Sequence, residues 1–172
     1  MFDRYSGWIS MKISVVTAVF NRRDTIGQAI ASVYAQDHDD IEHIIQDGGS
    51  TDGTLDIVRT HATDRTDLVS EPDKGIYDAI NRGICRATGD VVGVMHSDDF
   101  FASDDVLSKV ASAFEDPTVD GVYGDLHYVA AHDTSRVLRR WESGSYDRSK
   151  LRWGWRPPHP TFYMSRRYFE EL

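Results

Sequence analysis

Two patterns of apolar residues alternate along the chain, short uninterrupted runs and longer segments with a helical period. Residues 12–21, KISVVTAVFN, form a β-branched run without helical spacing, which predicts a buried strand. Apolar residues then recur at i, i+3, i+4 and i+7 from Ile26, which predicts a helix over about residues 23–36. The same patterns predict strands at residues 41–46, 67–70, 89–95 and 120–130, a short helix after residue 54, and further helices over residues 76–87 and 102–116, the last with Ser103 as its N-cap.

The order of these elements, β-α-β-α-β-α-β-α-β, predicts an α/β fold. Parallel neighbours need crossover connections, so we expect a mostly parallel central sheet with helices on both faces. From residue 136 the pattern loosens into a polar segment, and residues 151–172 predict an added ribbon and a final helix. Ligands of such sheets bind at the carboxyl ends of the strands.

Four polar clusters follow predicted strands and should therefore meet at one edge of the sheet. They are FNRR (residues 20–23), DGGSTDG (47–53), EPDKG (71–75) and HSDD (96–99). Each cluster alone is also typical of an ordinary turn. Their shared position is the stronger signal, because it predicts a single ligand-binding site.

The adjacent acids Asp98 and Asp99 are the candidates for a metal site. Two carboxylates at a strand end repel one another unless a cation or strong donors intervene, and hard oxygen ligands suit Mg²⁺ or Mn²⁺. The alternative is a helix-capping turn. His96 is a candidate third ligand, although a histidine at a strand end is more often a packed or surface group.

The glycine-rich cluster that begins at Asp47 lacks the Lys-Ser/Thr of a P-loop and the spacing of a dinucleotide fingerprint. Asp47 itself could accept a hydrogen bond from a nucleobase N–H, while the glycines allow a sharp turn. A glycine turn before a capped helix explains the glycines equally well. In EPDKG, Asp73 and Lys74 either face the same cleft or belong to a solvated turn.

Charge and cysteine content narrow the class of protein. With 28 acids against 19 Lys and Arg residues, the formal net charge of −9 opposes binding to a nucleic-acid backbone. The single cysteine, Cys85, excludes an internal disulfide, favours a reducing cytoplasmic compartment and is expected to be a small core residue. No window is apolar enough to cross a bilayer, so we expect a soluble protein.

Taken in order, a set of segments resembles family 2 glycosyltransferases with the GT-A fold, in a branch similar to colanic-acid and other polysaccharide-biosynthesis enzymes. The segments are ISVVTAVFNR, IIQDGGSTDGT, SEPDKGIYDAINRGICRATGD, VVGVMHSDDFF, GVYGDLHYV and PPHPTFYMSRRYFEEL. The resemblance begins near Lys12. It implies an N-terminal extension over residues 1–11 and a GT-A, Rossmann-like domain over residues 12–172 whose C-terminal part is truncated.

The resemblance implies a metal-dependent transferase that moves a sugar from a UDP- or GDP-linked donor, with inversion, to a carbohydrate or lipid-linked acceptor. A bound Mn²⁺ or Mg²⁺ is implied as the cofactor. His96 stands where many members have the first acid of the metal motif, which leaves one carboxylate fewer. The implied donor-binding residues are Thr17, Phe20, Asn21, Asp47, Asp73, Lys74 and Asp98, and the implied metal ligands are Asp99 and Asp98.

The catalytic base is not identified by the resemblance, which implies an acid beyond the equivalent of Leu172. Asp125 is a weak candidate, and an ordinary turn acid is at least as good an interpretation. His159 is a candidate for the acceptor side or a metal contact. Trp153 and Trp155 are candidates for stacking on sugar or for packing.

Two other functions stay open at this point. Without the expected base, the chain could be a non-catalytic module that binds nucleotide sugars. A phosphohydrolase that uses Asp98 is a third hypothesis, disfavoured by the nucleoside-side motifs. The aromatic segment WGWRPPHPTFY is compatible with a homodimer contact or with a peripheral contact at the inner face of the membrane.

Overall fold

Strands and helices alternate over the first two thirds of the chain in the computed structural model, which describes residues 11–169. The strands are β1 Ile13–Val19, β2 Ile41–Asp47, β3 Thr66–Ser70, β4 Val91–Val94, β5 Gly121–Val122, β6 Leu126–Ala130, β7 Asp133–Trp141 and β8 Tyr163–Ser165. The helices are α1 Ile26–Tyr34, α2 Thr54–His61, α3 Ile76–Arg86, α4 Val106–Ala113 and α5 Arg148–Leu151, with short 3₁₀ turns at His159–Thr161 and Arg166–Tyr168.

Six strands form the central sheet in the order β3-β2-β1-β4-β8-β5. The four strands β1 to β4 are mutually parallel, whereas β8 is antiparallel to both β4 and β5. The strands β6 and β7 pair separately as an antiparallel ribbon. The predicted α/β fold with a mostly parallel sheet is therefore confirmed.

The two faces of the sheet carry separate apolar cores because side chains alternate along each strand. On one face, Ile13, Val15 and Val19 of β1 pack with residues of α1, α2 and α4 in the larger cluster. On the other face, Val16 joins a smaller cluster that includes Ile84 of α3. The sheet therefore carries helices on both faces, as predicted.

The antiparallel strand β8 approaches β4 at a glycine. Tyr163 is buried, and its ring lies where a Cβ of Gly93 would be. Gly93→Ala is expected to lower the free energy of unfolding by about 1–3 kcal/mol, because the added methyl group overpacks the core. Gly124→Ala is the control, because a Cβ there meets no heavy atom within 4 Å. Urea unfolding of both variants checks this, and equal stability of the two would contradict it.

A neutral histidine lies in the larger core. His43 is fully buried and its Nε2 is 3.0 Å from the Thr17 hydroxyl. Burial lowers the pKa of the imidazole from 6.5 to about 3. The unfolded chain therefore takes up a proton below about pH 6.5 that the folded protein does not bind, so stability falls as pH falls.

Each pH unit in that range costs about 1.4 kcal/mol, so the wild type is expected to lose about 2 kcal/mol between pH 6.5 and pH 5 through this residue. His43→Gln should remove that part of the pH dependence, as measured by urea unfolding at both pH values. His132→Gln, at an exposed position, should keep the wild-type dependence. The same pH dependence in His43→Gln as in the wild type would contradict the assignment.

Several predicted elements differ from the structure. The strand predicted over residues 120–130 is two strands in different sheets, because Gly124 and Asp125 between them bond to distant residues. The polar segment after residue 136 continues the exposed strand β7. The ribbon predicted within residues 151–172 was therefore placed too late, since β6 and β7 form it earlier.

Local details also needed correction. Helix α4 begins at Val106 rather than after Ser103, whose hydroxyl bonds to the Asp105 carboxylate. Cys85 is exposed on α3 and is not a core residue. In place of the final helix, residues 166–168 form a single 3₁₀ turn, and the rest of that prediction lies outside the described residues. Of the N-terminal extension predicted over residues 1–11, residues 1–10 also lie outside them. Within residues 11–169, no helix combines the length and the apolar character needed to cross a membrane.

Candidate functional site

Hydrogen bonds join the loops at the carboxyl ends of β1, β2 and β3. The Gly48 amide donates to the Val19 carbonyl, and the Glu71 amide donates to the Asp47 carbonyl, both at 2.9 Å. Further bonds connect the loop after β1 with the DGGSTDG loop. The structure thus brings three of the four predicted clusters together, and their local geometry decides what each side chain can do.

Asp47 is the last residue of β2 and is fully buried. Its Oδ2 accepts hydrogen bonds from the amides of Gly49 and Ser50, both at 3.0 Å, and from the Ser70 hydroxyl at 2.7 Å. Its Oδ1 is buried and has no hydrogen-bond partner among the described residues. One carboxylate oxygen therefore holds the loop, and the other is an acceptor without a donor.

A narrow space beside Asp47 is bounded by two other predicted residues. A Cβ on Gly48 would lie 2.6 Å from Asp73 Oδ2 and 3.4 Å from Cδ2 of Phe20. The Phe20 side chain is 57% exposed, so its ring is available for stacking. Phe20 and Asp73 are thus brought together beside Gly48, the residue after Asp47, where a larger side chain would collide with Asp73.

Asn21 fixes the loop after β1. It has a positive φ of 51°, a conformation that asparagine tolerates better than most residues. Its amide N–H donates to the Ser50 hydroxyl at 2.8 Å, and its Oδ1 accepts from the Thr51 amide at 2.9 Å. Its polar atoms therefore tie the two loops together, which is a positioning role.

Asp98 and Asp99 follow β4, as predicted. Neither carboxylate forms a hydrogen bond or a salt bridge with any residue in the range 11–169, although Asp99 is half-buried. Burial raises the pKa of Asp99, the neighbouring Asp98 charge raises it further, and His96 and His159 act in the opposite direction. Asp99 is thus a partly desolvated acid beside an exposed one, Asp98.

Asp98 also lines a cavity of about 420 Å³, which we call the strand-end cavity. It lies between the end of β4, the start of α3 and the turn that contains His159. Its lining residues are Ala18, Arg22, Ile76, Tyr77, Ile80, His96, Ser97, Asp98 and His159.

His96 and His159 contact each other at the wall of this cavity. Their Nε2 atoms are 2.8 Å apart and the rings are edge to face. Burial lowers the pKa of His159, and the neighbouring His96 lowers it further, against the influence of Asp99. The contact brings the PPHP turn, 63 residues further along the chain, to the acid pair.

The EPDKG loop is held by one arginine of α3. Arg82 forms salt bridges of 2.8 Å with Glu71 and with Asp78, and Asp78 also accepts the Lys74 amide at 3.0 Å. The Lys74 side chain is exposed and has no side-chain bond within the described range. The loop is therefore fixed without the Lys74 side chain, which leaves the Lys74 ammonium available to a ligand.

Four of the candidate residues do not line the strand-end cavity. Thr17 is fully buried on the opposite face of the sheet from Ala18, because side chains alternate along β1, so its side chain does not reach the cavity. Asp125 accepts the Ser143 amide at 2.8 Å and closes the base of the β6–β7 ribbon. Trp155 packs against Tyr123, whereas Trp153 is 85% exposed.

Arg22, Ile76 and Tyr77 are cavity residues that were not singled out from the sequence. Arg22 is exposed and bonds through Nη1 only to the Asn21 carbonyl, so its charge is available to an anionic ligand. Ile76 and Tyr77 are 49% and 80% exposed at the start of α3. Arg22 lies in the FNRR cluster, but nothing in the neighbouring sequence indicates that Ile76 and Tyr77 are exposed at the start of α3.

The side chains around Asp98 and Asp99 form only part of a donor set for a divalent cation. No group of three or more His, Cys, Asp or Glu side chains within residues 11–169 is arranged to hold a metal. Asp98 and Asp99 are nevertheless unpaired oxygen donors, and Mg²⁺-type ions often use one or two carboxylates together with substrate phosphates. The pair fits a cation that a diphosphate ligand completes.

Similar proteins are glycosyltransferases. The chain is 34% identical over 126 residues to the uncharacterized glycosyltransferase alr2836 of Nostoc sp., which covers 72% of this chain and 39% of that protein. It is 33% identical over 136 residues to the PGL/p-HBAD biosynthesis glycosyltransferase of Mycobacterium bovis, which covers 73% of this chain and 53% of that protein. The chain therefore spans about two fifths to one half of these relatives.

Among solved structures, the mannosyltransferase PcManGT from Pyrobaculum calidifontis, in complex with GDP-Man and Mn²⁺, has a TM-score of 0.73 and 25% identity. The match covers 94% of this chain and 46% of that one. The S. aureus TarS 1-349 structure with UDP-GlcNAc, at 18% identity and a TM-score of 0.71, shares the fold and is likewise about twice as long. The sequence profile of glycosyl transferase family 2 matches residues 14–171, and the chain belongs to this family.

Proposed function

We propose that this protein transfers a sugar, with inversion, from a UDP- or GDP-linked donor to a hydroxyl group of a carbohydrate or lipid-linked acceptor. The observation that carries the proposal is the adjacent acids Asp98 and Asp99 after β4, whose carboxylates have no hydrogen-bond or salt-bridge partner within residues 11–169. They lie beside a cavity of about 420 Å³. The Mn²⁺ and nucleotide-sugar complexes of structural neighbours support the same chemistry. Polysaccharide or glycoconjugate assembly is the process we propose for it.

The nucleoside would bind between Phe20, Asp47 and Asp73. The Phe20 ring supplies a stacking face, and Asp47 Oδ1 supplies an acceptor for a base N–H. Because that oxygen is shielded from water, a base reaches it only after a neighbouring side chain moves. Asn21 would act by holding the DGGSTDG loop, and Thr17 by supporting β1 from the core.

The diphosphate would lie in the strand-end cavity between Asp98 and Arg22, with Lys74 on the loop that precedes the cavity residue Ile76. A divalent cation held by Asp98 and Asp99 would stabilise the negative charge that grows on the diphosphate as the glycosyl bond breaks. Mn²⁺ is the ion supported by the neighbours, and Mg²⁺ is the alternative. Arg22 and Lys74 would add fixed positive charge on the same side.

The acceptor hydroxyl requires a base on the opposite face of the sugar. Asp125 is exposed and accepts one hydrogen bond, from the Ser143 amide at the ribbon base, and it does not line the strand-end cavity. We propose that the base is an acid beyond Leu172, in the part that the longer relatives have. A cytoplasmic location at the inner face of the membrane would supply both nucleotide sugars and lipid-linked acceptors.

Calorimetric titration of UDP, GDP and their sugars, first with Mn²⁺ and then with EDTA, tests the proposal. Metal-dependent binding of one nucleotide is expected and would also identify the nucleobase of the donor. The second candidate function, a binding module without activity, is favoured by the structural role of Asp125. It predicts donor binding without sugar transfer in a chain extended to the length of the relatives. Absence of nucleotide binding under all conditions would exclude both functions.

A further inference from the structure

Large exposed apolar side chains fall into two groups within residues 11–169. Phe20, Ile76 and Tyr77 lie around the candidate donor site. The other five lie between residues 126 and 156, and they are Tyr128 at 43%, Val137 at 39%, Leu138 at 59%, Tyr146 at 63% and Trp153 at 85% exposure. The second group has no role in binding the donor.

We call residues 126–156 the basic segment, because its charge is opposite to that of the whole chain. It contains seven Lys and Arg residues against three acids, whereas the chain has a net charge of −9. Every one of the seven cationic side chains is exposed. They are Arg136, Arg139, Arg140, Arg148, Lys150, Arg152 and Arg156.

The cations of the basic segment differ from the other cations of residues 11–169 in their salt bridges. No Lys or Arg of the basic segment forms a salt bridge within the described part of the chain, whereas six outside it do. Arg139 instead lies over the rings of Tyr128 and Trp141, at 5.5 and 5.9 Å from their centroids. Cations without carboxylate partners, interspersed with exposed aromatic and aliphatic side chains, form a surface that suits an anionic, partly apolar partner.

Hydrogen bonds attach the base of the basic segment to the turn that begins at His159. At its base, Ser143 donates to Asp125 Oδ1 and to the Gly124 carbonyl at 2.8 and 2.6 Å. The Thr161 hydroxyl bonds to the same Gly124 carbonyl at 3.0 Å, and Thr161 belongs to the turn that begins at His159. Since His159 lines the strand-end cavity, a surface that binds the basic segment would lie close to the mouth of that cavity.

We propose that the basic segment is a docking surface for an anionic lipid bilayer. Lys and Arg residues near an anionic leaflet are attracted to it, and Trp, Tyr and Leu side chains enter the headgroup region. The acidic remainder of the chain would be repelled, which orients the protein with the ribbon toward the lipid. Docking in this way would bring a lipid-linked acceptor to the cavity. That last point rests on the proposed function, whereas lipid binding itself does not.

Vesicle co-sedimentation tests the proposal. The wild type is expected to bind phosphatidylglycerol-rich vesicles at low salt, to release them at high salt and to bind phosphatidylcholine vesicles weakly. Arg136→Ser/Arg140→Ser should weaken binding roughly thirtyfold, since each cation near an anionic surface counts for about a factor of five. The matched control is Arg59→Ser/Lys109→Ser on helices α2 and α4, which should bind as the wild type does.

A second variant tests the apolar contribution. Trp153→Ser is expected to reduce vesicle binding and to abolish part of the blue shift of tryptophan fluorescence on adding vesicles, without changing donor binding.

Three results would overturn the proposal. They are absence of vesicle binding, equal effects of the two double variants, and a dimer or a DNA complex that occupies the basic segment instead, detected by sedimentation velocity. Nucleotide titration of the same samples is independent, so a failed donor site is distinguished from failed docking.

Discussion

Replacement of Asp99 by asparagine is expected to abolish Mn²⁺-dependent binding of the donor while the protein stays folded. The carboxylate is half-buried, unpaired and adjacent to Asp98, so the amide removes a negative ligand that nothing else in this part of the site replaces. We expect the donor affinity in the presence of Mn²⁺ to fall roughly 100-fold or more. Loss of a residue that only hydrogen-bonds to a metal ligand already lowers metal affinity or activity about 10–100-fold. Calorimetric titration with and without Mn²⁺ measures this.

Stability should change in the opposite direction. Burial raises the pKa of Asp99, which means that its ionised form is disfavoured in the folded protein at neutral pH. Asparagine removes that cost, so the melting temperature of Asp99→Asn without metal is expected to equal or exceed that of the wild type. The control is Asp104→Asn, which changes an exposed acid of the next turn and should leave donor affinity intact. Unchanged Mn²⁺-dependent affinity in Asp99→Asn would contradict the metal assignment.

Asp47→Asn is expected to have the second largest effect. The asparagine carbonyl oxygen can still accept the bonds from Gly49, Ser50 and Ser70, but an NH₂ group then takes the place of the unbonded Oδ1. If a nucleobase N–H binds that oxygen in the wild type, the variant places the asparagine NH₂ group opposite it, so that two hydrogen-bond donors face each other. The lost bond to a charged group costs about 1.5–3 kcal/mol and the unpaired donors add to it, so nucleotide affinity should fall roughly 100-fold.

A matched variant in the same loop separates loop damage from lost recognition. Asp52 accepts the Thr54 amide and hydroxyl through Oδ1 and the Arg23 amide through Oδ2, and it is exposed. Asp52→Asn should therefore alter the loop but leave nucleotide affinity within a few fold. Equal losses in the two variants would show that Asp47 acts through loop structure alone. Affinity for UDP and GDP, with hydrogen exchange of the loop amides, gives both measurements.

The first four strands could be predicted because each is a short apolar run whose flanking helix shows its own period. The later strands could not be predicted in the same way. Strand β7 is exposed along nearly its whole length, so it has no alternation of apolar and polar residues to detect. The separation of β5 from β6 depends on bonds from Gly124 to Thr161 and from Asp125 to Ser143, which are remote in sequence.

The candidate site was predictable to a similar degree. Asp47, Asp98 and Asp99 stand out because acids that end apolar strands are conspicuous in a sequence. The positions of Arg22 and Tyr77 in the cavity wall result from how the loop after β1 and the start of α3 are oriented, which is a property of the assembled sheet. The pairing of His96 with His159 likewise requires the PPHP turn to return to β4.

The antiparallel insertion of β8 has a consequence for the order in which the molecule folds. Strands β1 to β4 can assemble once residue 94 is available, but Val91 of β4 pairs with Ser165 of β8. Until that late segment joins the sheet, the backbone N–H and C=O groups along one side of β4 have no strand partner, and such an edge can pair with another chain. During synthesis, the interval between β4 and β8 is therefore a period in which the nascent protein exposes an edge that favours aggregation.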